Sequence, residues 1–212
     1  MGAMLISIKD MVERIIFQFS IRPNQTCPII IGIDGLGGAG KTTLVKEIEQ
    51  ELSYHNCQAV SIHLDDHIVE RKNRYQTGHE EWYEYYYLQW DVTKLTATLF
   101  EPLSNGCDNI QLDFYDKFTD TTSTKLVNVP SASVVLIEGI FLQRKEWKGY
   151  YNFVVYLDYP RELRYERVLN RDLYIGKYEE RLTKYQRRYW LAEKHYMNIV
   201  KPIMNADLVY NA

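Results

Sequence analysis

The chain has 212 residues, 46% hydrophobic and 25% charged, with a formal net charge of −3 at pH 7. That composition suits a soluble globular fold and excludes intrinsic disorder. It supplies no basic field for nucleic acid, and no apolar run reaches the roughly 20 residues needed to span a bilayer.

Leu5, Ile8, Val12, Ile15, Ile16 and Phe19 repeat at near-helical spacing, which predicts an amphipathic helix over 5–19, closed by Arg22-Pro23-Asn24. Lys9, Asp10, Glu13 and Arg14 interrupt its apolar residues, a pattern unlike a secretory signal. Pro28 to Ile33 is a short β-branched run that reads as a strand buried on both faces. A helix carrying Leu44, Val45, Ile48 and Leu52 follows, then a strand over 57–64 and a helix over 92–103. Ile110 to Tyr115 pairs with Lys125 to Val129 across a Thr/Asp-rich turn, a hairpin within about 109–129. Ser133 to Ile137 and Phe153 to Leu157 are further buried strands, 161–172 and 178–200 are helices, and Ala206 to Tyr210 closes the series as a fifth strand. Strands alternating with helices predict an α/β fold with a five-stranded parallel sheet. No repeat or linker breaks the chain, so one domain over 1–212 is expected. Cys27, Cys57 and Cys107 are odd in number and widely spaced, which fits reduced thiols in a cytoplasmic protein rather than a disulfide or zinc framework.

Five of the 11 glycines lie between Gly32 and Gly40, and Gly35-Leu36-Gly37-Gly38-Ala39-Gly40-Lys41-Thr42 fits G-x-x-x-x-G-K-[ST]. An apolar strand precedes the motif and a periodic helix follows it, the context of a phosphate-binding loop. Glycines let backbone N–H groups turn inward around phosphate oxygens, and the helix N-terminus adds a positive end. Gly35, Gly37, Gly38, Ala39, Gly40, Lys41, Thr42 and Thr43 are therefore the candidate ATP cradle, with Lys41 on the β- and γ-phosphates and Thr42 on Mg²⁺.

Strand two ends in His63-Leu64-Asp65-Asp66-His67. A carboxylate at the carboxyl edge of a parallel strand faces the ligand crevice, where a kinase needs a group to take the proton of an acceptor hydroxyl. From the residues alone, a turn or helix cap is an equal reading. The two histidines match no zinc spacing. Glu138 follows four apolar residues, a charge delivered to the sheet edge whose burial a Mg²⁺ ion would relieve. Arg164, Arg167 and Arg171 share one helix face, which fits either a solvated basic face or arginines that stabilise a transferring phosphoryl group.

These segments resemble the uridine kinase-like branch of phosphate-loop kinases, which includes phosphoribulokinase, pantothenate kinase and nicotinamide riboside kinase. The resemblance runs from about residue 28 to 210 through Ile31 to Leu44, His63 to Asp66, Leu88-Gln89-Trp90-Asp91-Val92, Tyr115-Asp116, Val134 to Ile140 and Arg167 to Asp172. It implies Asp65 as catalytic base, Asp91, Tyr115 and Asp120 as acceptor-binding positions, Thr42 and Glu138 at Mg²⁺, and Arg167 and Arg171 in a helical lid over about 161–181. Arg164, Arg181, Arg187 and Arg188 stay unassigned. Asp120 stands where uridine kinases carry a His that contacts the pyrimidine. An ionised carboxylate cannot donate a hydrogen bond, so the match does not carry uridine specificity with it. The stretch from His67 to Trp90 departs too, being longer and far more aromatic. Trp82, Tyr85 and Tyr86 sit at helical spacing as a core face, while stacking on a planar substrate ring is the other reading.

The expectation is thus a kinase that moves the γ-phosphoryl of ATP to a hydroxyl of a nucleoside-like small molecule, with no nucleic acid or membrane partner and homo-oligomerisation left open. A nucleotide-dependent switch is the competing reading. It lacks support from any Asn-Lys-x-Asp guanine-reading element.

Overall fold

The computed structural model describes residues 6–21 and 27–211. Leu5 and the Arg22-Pro23-Asn24 stop expected for the first helix lie outside the described residues. Helix α1 (Ile8–Ser20) starts at a reciprocal cap, in which Ser7 Oγ accepts from Asp10 N–H at 3.2 Å and Asp10 Oδ2 accepts from Ser7 N–H at 3.0 Å. Strand β1 (Ile29–Asp34) runs into helix α2 (Lys41–Tyr54) through the glycine loop. Strand β2 (Ala59–His63) ends in a tight turn, Leu64–His67, followed by the short helices α3 (Arg71–Arg74) and α4 (Glu81–Tyr87).

The helix expected over 92–103 is a rod built from α5 (Val92–Leu95), a wide turn (Thr96–Phe100) and α6 (Glu101–Ser104). Glu101 N–H reaches five residues back to Thr96 O. Pro102, next in line, has no N–H to continue the regular ladder. The hairpin pairs β3 (Asn109–Asp116) with β4 (Thr121–Asn128). Its second strand begins four residues before the predicted Lys125, because the β-branched threonines pair in register, Tyr115 with Thr122 and Asp113 with Thr124. Strands β5 (Val134–Gly139) and β6 (Phe153–Asp158) follow, then α7 (Arg161–Arg171). The helix predicted over 178–200 comprises α8 (Tyr178–Lys184), a second wide turn (Tyr185–Tyr189) and α9 (Trp190–Val200). Helix α10 (Pro202–Asn205) and β7 (Leu208–Asn211) end the described chain.

The five strands lie in the order β2-β5-β1-β6-β7, and every neighbouring pair is parallel. Alternate residues serve opposite cores. Ile30, Val135 and Ile137 face one layer with Trp90, Phe100, Phe141 and Trp147, while Ile29, Ile31, Ile33, Val134 and Leu136 face the other with α1 and α2. Both faces are covered, which is why β1 and β5 read as unbroken apolar runs. The carboxyl ends of β1, β5 and β2 stand side by side, with Asp34 opposite Gly139 and Glu138 opposite His63. Among the described residues, no helix is long and apolar enough to cross a membrane.

Candidate active site

The glycine loop bends back over the ends of β1 and β6. Gly38 takes φ +78°, and a Cβ there would sit 2.7 Å from Arg164 O, so only glycine lets α7 lie against the loop. Gly40, at φ +100°, starts α2 and accepts from Thr43 N–H and Leu44 N–H, both at 3.0 Å. The N-terminus of α2 therefore points at the concave side of the loop. Lys41 Nζ crosses the loop and donates to Gly35 O at 2.8 Å and Leu36 O at 3.3 Å.

Thr42 and Glu138, 96 positions apart, meet at the foot of this cradle, where Thr42 Oγ1 donates to Glu138 Oε1 at 2.9 Å. His63 Nδ1 donates to the same oxygen at 2.8 Å. The other carboxylate oxygen, Oε2, is buried and has no partner among the described residues. Burial works to raise the Glu138 carboxyl, but the His63 bond, the Lys41 charge and the Thr42 bond outweigh it and leave it lowered. The carboxylate bond raises His63 in turn. A hydroxyl beside an orphaned carboxylate oxygen is a hard-oxygen donor pair. Mg²⁺ takes such pairs through one or two carboxylates plus substrate phosphates, so these residues fit it.

Asp65 sits on the Leu64–His67 turn, open to the cleft. The surrounding protein strips enough water to raise its carboxyl. Lys41 and Arg171 pull it down, and Glu138 and Asp66 push it up. The two arginines expected in the lid differ in what they hold. Arg167 Nη1 donates to Gly38 O at 3.4 Å and its Nη2 to Tyr159 Oη at 2.5 Å, so it lies at the loop. Arg171 Nε donates to Asp172 Oδ1 at 2.7 Å and acts on Asp65 by its field.

The three acceptor-side residues divide into two places. Asp91 caps α5, its Oδ1 accepting from Lys94 N–H at 2.9 Å, and lines a cavity beneath the hairpin. Tyr115 and Asp120 bond to each other, the phenol donating at 2.9 Å, and Asp120 Oδ1 also accepts Arg71 N–H at 2.9 Å. That backbone bond is the main reason Asp120 is lowered. Arg74 Nη2 donates to Tyr115 Oη at 3.2 Å. Asp120 thus pins the hairpin tip to the segment that follows Asp65.

Several groups at the site carried no clear sequence signal. Asp34 is fully buried. It accepts from Tyr196 Oη (2.5 Å), Gln143 Nε2 (2.9 Å) and Gly35 N–H (2.8 Å), and burial raises its carboxyl. Arg164, left unassigned by the sequence, is buried against Glu193 at 3.2 Å. A carboxylate on the inner face of α9, three residues before Tyr196, was the available signal for Glu193. The aromatic run packs as a core face. Tyr86 lies edge-on to Phe141 at 4.9 Å and to His195 at 4.9 Å, and desolvation pushes its phenol up to about 12.

The model of the Phosphoribulokinase / Uridine kinase family matches residues 30–211. The chain belongs to that family. A uridine kinase of Staphylococcus haemolyticus (strain JCSC1435) is 28% identical over 181 residues, which cover 83% of this chain and 79% of the relative. A solved structure described as a possible uridine kinase from Bacillus stearothermophilus is 40% identical, covers 96% of each chain and superposes with a TM-score of 0.79. A solved structure from Silicibacter sp. TM1040, 17% identical, reaches a TM-score of 0.80 over 96% of this chain and 98% of its own, a likeness of fold. Membership of the family makes the protein an ATP-dependent small-molecule kinase with a phosphate loop.

Proposed function

We propose that this kinase transfers the γ-phosphoryl group of ATP to a hydroxyl of a nucleoside or similar ribosyl compound, with 1–212 acting as one unit, the 109–129 hairpin as acceptor cover and 161–181 as lid. The observation that carries the reading is the meeting of Thr42 and Glu138 beside Asp65, with Lys41 close enough to pull on both carboxylates. Uridine kinases among the relatives support the acceptor class.

In this reading the loop amides and Lys41 hold the β- and γ-phosphates, with Gly35, Gly37, Gly38, Ala39, Gly40 and Thr43 shaping the cradle. Thr42 and Glu138 would hold Mg²⁺, which supplies charge neutralisation across the phosphates when bound. Asp65 accepts a hydrogen bond from the acceptor hydroxyl, orients its oxygen toward the γ-phosphorus and takes its proton as the new O–P bond forms. The bond from the γ-phosphorus to the bridging oxygen breaks, and ADP leaves with that oxygen. Arg167 and Arg171 offset the negative charge that spreads over the transferring group. Asp91 and Tyr115, with Asp120 behind it, position the acceptor. Catalysis is then chiefly positioning and charge stabilisation.

Asp65→Asn tests the base. The expected result is loss of acceptor phosphorylation with ATP affinity nearly unchanged. Wild-type turnover in that variant would remove Asp65 from the role. ADP release that no added acceptor stimulates would remove the acceptor reading altogether.

A further inference from the structure

The turn that carries Asp65 at its second position carries His67 at its fourth, and His67 lines a cavity of about 210 Å³ together with Ile68, Asp91, Lys94, Asp113 and Thr122. The histidine is buried and lies edge-on to Phe114 at 4.7 Å between ring centres. Its Nδ1 is 2.7 Å from Asp113 O. A carbonyl can only accept, so Nδ1 carries the proton and Nε2 is left as an acceptor. No hydrogen bond from the described residues reaches Nε2. Burial lowers the imidazole, which keeps it neutral.

The charged groups of the cavity are mostly paired within the protein. Asp113 accepts from Thr124 Oγ1 at 2.6 Å and pairs with Lys94. Glu70 pairs with Lys72 at 2.8 Å. His67 Nε2 and the second oxygen of Asp91 are acceptors left open to the cavity, beside the side chains of Asn73 and Thr122. Three carboxylates line the cavity against one ammonium, and that ammonium is engaged. That excess of negative charge repels anions, while His67 Nε2 and the carboxylates accept hydrogen bonds from a neutral ligand.

We propose that His67 is an acceptor-reading residue: its Nε2 accepts a hydrogen bond from a hydroxyl of an uncharged polyol such as a ribose ring, beside Asp91, and the cavity rejects acceptors that carry phosphate or carboxylate. This inference rests on the acceptor-hydroxyl reading above and narrows it. Asp120, at the hairpin tip, is bonded within the protein. Discrimination therefore falls to the turn behind Asp65.

The test is steady-state ADP release at saturating ATP, with uridine, cytidine, 2′-deoxyuridine, 3′-deoxyuridine, ribulose 5-phosphate and pantothenate as acceptors, on wild type and on His67→Phe, which keeps a planar ring and removes Nε2. The expected result is turnover of the neutral nucleosides and none of the two anions. Removing one neutral hydrogen bond should raise the acceptor KM of His67→Phe about three- to tenfold, with the KM for ATP unchanged. On the deoxynucleoside lacking the hydroxyl that His67 reads, wild type and variant should have equal KM, which a merely structural role would not produce. His67→Gln, which keeps an acceptor oxygen, should restore most of the loss. Should His67→Phe not fold, wild type alone decides, since one of the two deoxynucleosides must show the same KM increase over uridine.

The proposal is overturned if His67→Phe leaves the acceptor KM unchanged, or raises it equally for uridine and both deoxynucleosides. It is also overturned if ribulose 5-phosphate or pantothenate is the better acceptor. Turnover of uridine or cytidine with any of these results leaves the nucleoside reading standing. No turnover of any nucleoside overturns that reading, and this proposal with it.

Discussion

Glu193 Oε1 accepts a hydrogen bond from Gly37 N–H at 2.9 Å, across 156 positions of the chain. Arg164 closes the clasp from the other side, its Nη1 donating to Gly37 O at 3.0 Å and to Glu193 Oε2 at 3.2 Å. One residue of the phosphate loop, Gly37, is thus held on both of its flanking peptide units by α7 and α9 together. Tyr196, one turn along α9, holds Asp34 at the start of the same loop. Helices α7 and α9 both set the shape of the cradle.

Breaking this clasp should cost stability and nucleotide affinity together. Arg164→Met leaves Glu193 buried without its charge partner, a change of about 3–5 kcal/mol for a buried pair. Urea unfolding should show that loss, and the KM for ATP should rise. Glu193→Gln keeps an acceptor for Gly37 N–H and should cost clearly less. Equal losses in the two variants would speak against the clasp.

Asp65 should set the acid limb of the pH profile of kcat/KM. A base works only when ionised, and desolvation by the surrounding protein holds this carboxyl above its ordinary 3.8 although it opens to the cleft. Activity should therefore fall with decreasing pH at a midpoint above 3.8. Arg171 pulls Asp65 down, so Arg171→Gln should move that midpoint to higher pH as well as slow the reaction. A midpoint unmoved by Arg171→Gln would place the titrating group elsewhere.

Glu138→Gln should raise the Mg²⁺ concentration needed for half-maximal activity by at least about tenfold, because a charged ligand is replaced by a neutral one. Thr42→Ala should act in the same direction. Isothermal titration of MgATP against ATP alone separates this from lost phosphate binding. A variant with unchanged Mg²⁺ dependence would exclude Glu138 from the metal.

Asp120 takes φ +55° at the hairpin tip, a conformation that Asp, Asn and Gly tolerate and Ala does not. Asp120→Ala removes the acceptor of both Arg71 N–H and Tyr115 Oη. The acceptor KM should rise several-fold while the KM for ATP stays near wild type. Asp120→Asn should fall in between, since its side-chain oxygen still accepts. Steady-state kinetics with each substrate varied in turn checks both.

The elements of the sheet were legible because each strand is a short β-branched run with both faces covered, and the loop was legible because its chemistry is local. Gly35 to Thr43 must stand next to one another to cradle phosphate. Strand ends and helix faces gave Asp65, Glu138 and Arg167 their places, and the family resemblance gave Asp65 and Arg167 their expected roles. Glu193, Gln143 and Tyr196 could not, since nothing near them in the chain announces a partner at Gly37 or Asp34. Asp120 was named through the family resemblance, and nothing in the sequence signalled its bonds to Arg71 N–H and Tyr115, which tie the hairpin tip to the segment after Asp65.

By itself, then, the amino-acid sequence determined the parallel α/β sheet, the phosphate cradle and the carboxylates at its edge, because short-range periodicity and contiguous backbone N–H groups encode them. The tertiary structure alone decided which distant charges meet. Burial removes the water that would otherwise screen and satisfy Glu138, Asp34, Arg164 and Glu193, so each must find its partner in the fold. The same packing left His67 Nε2 and Asp91 lining a cavity beneath the hairpin.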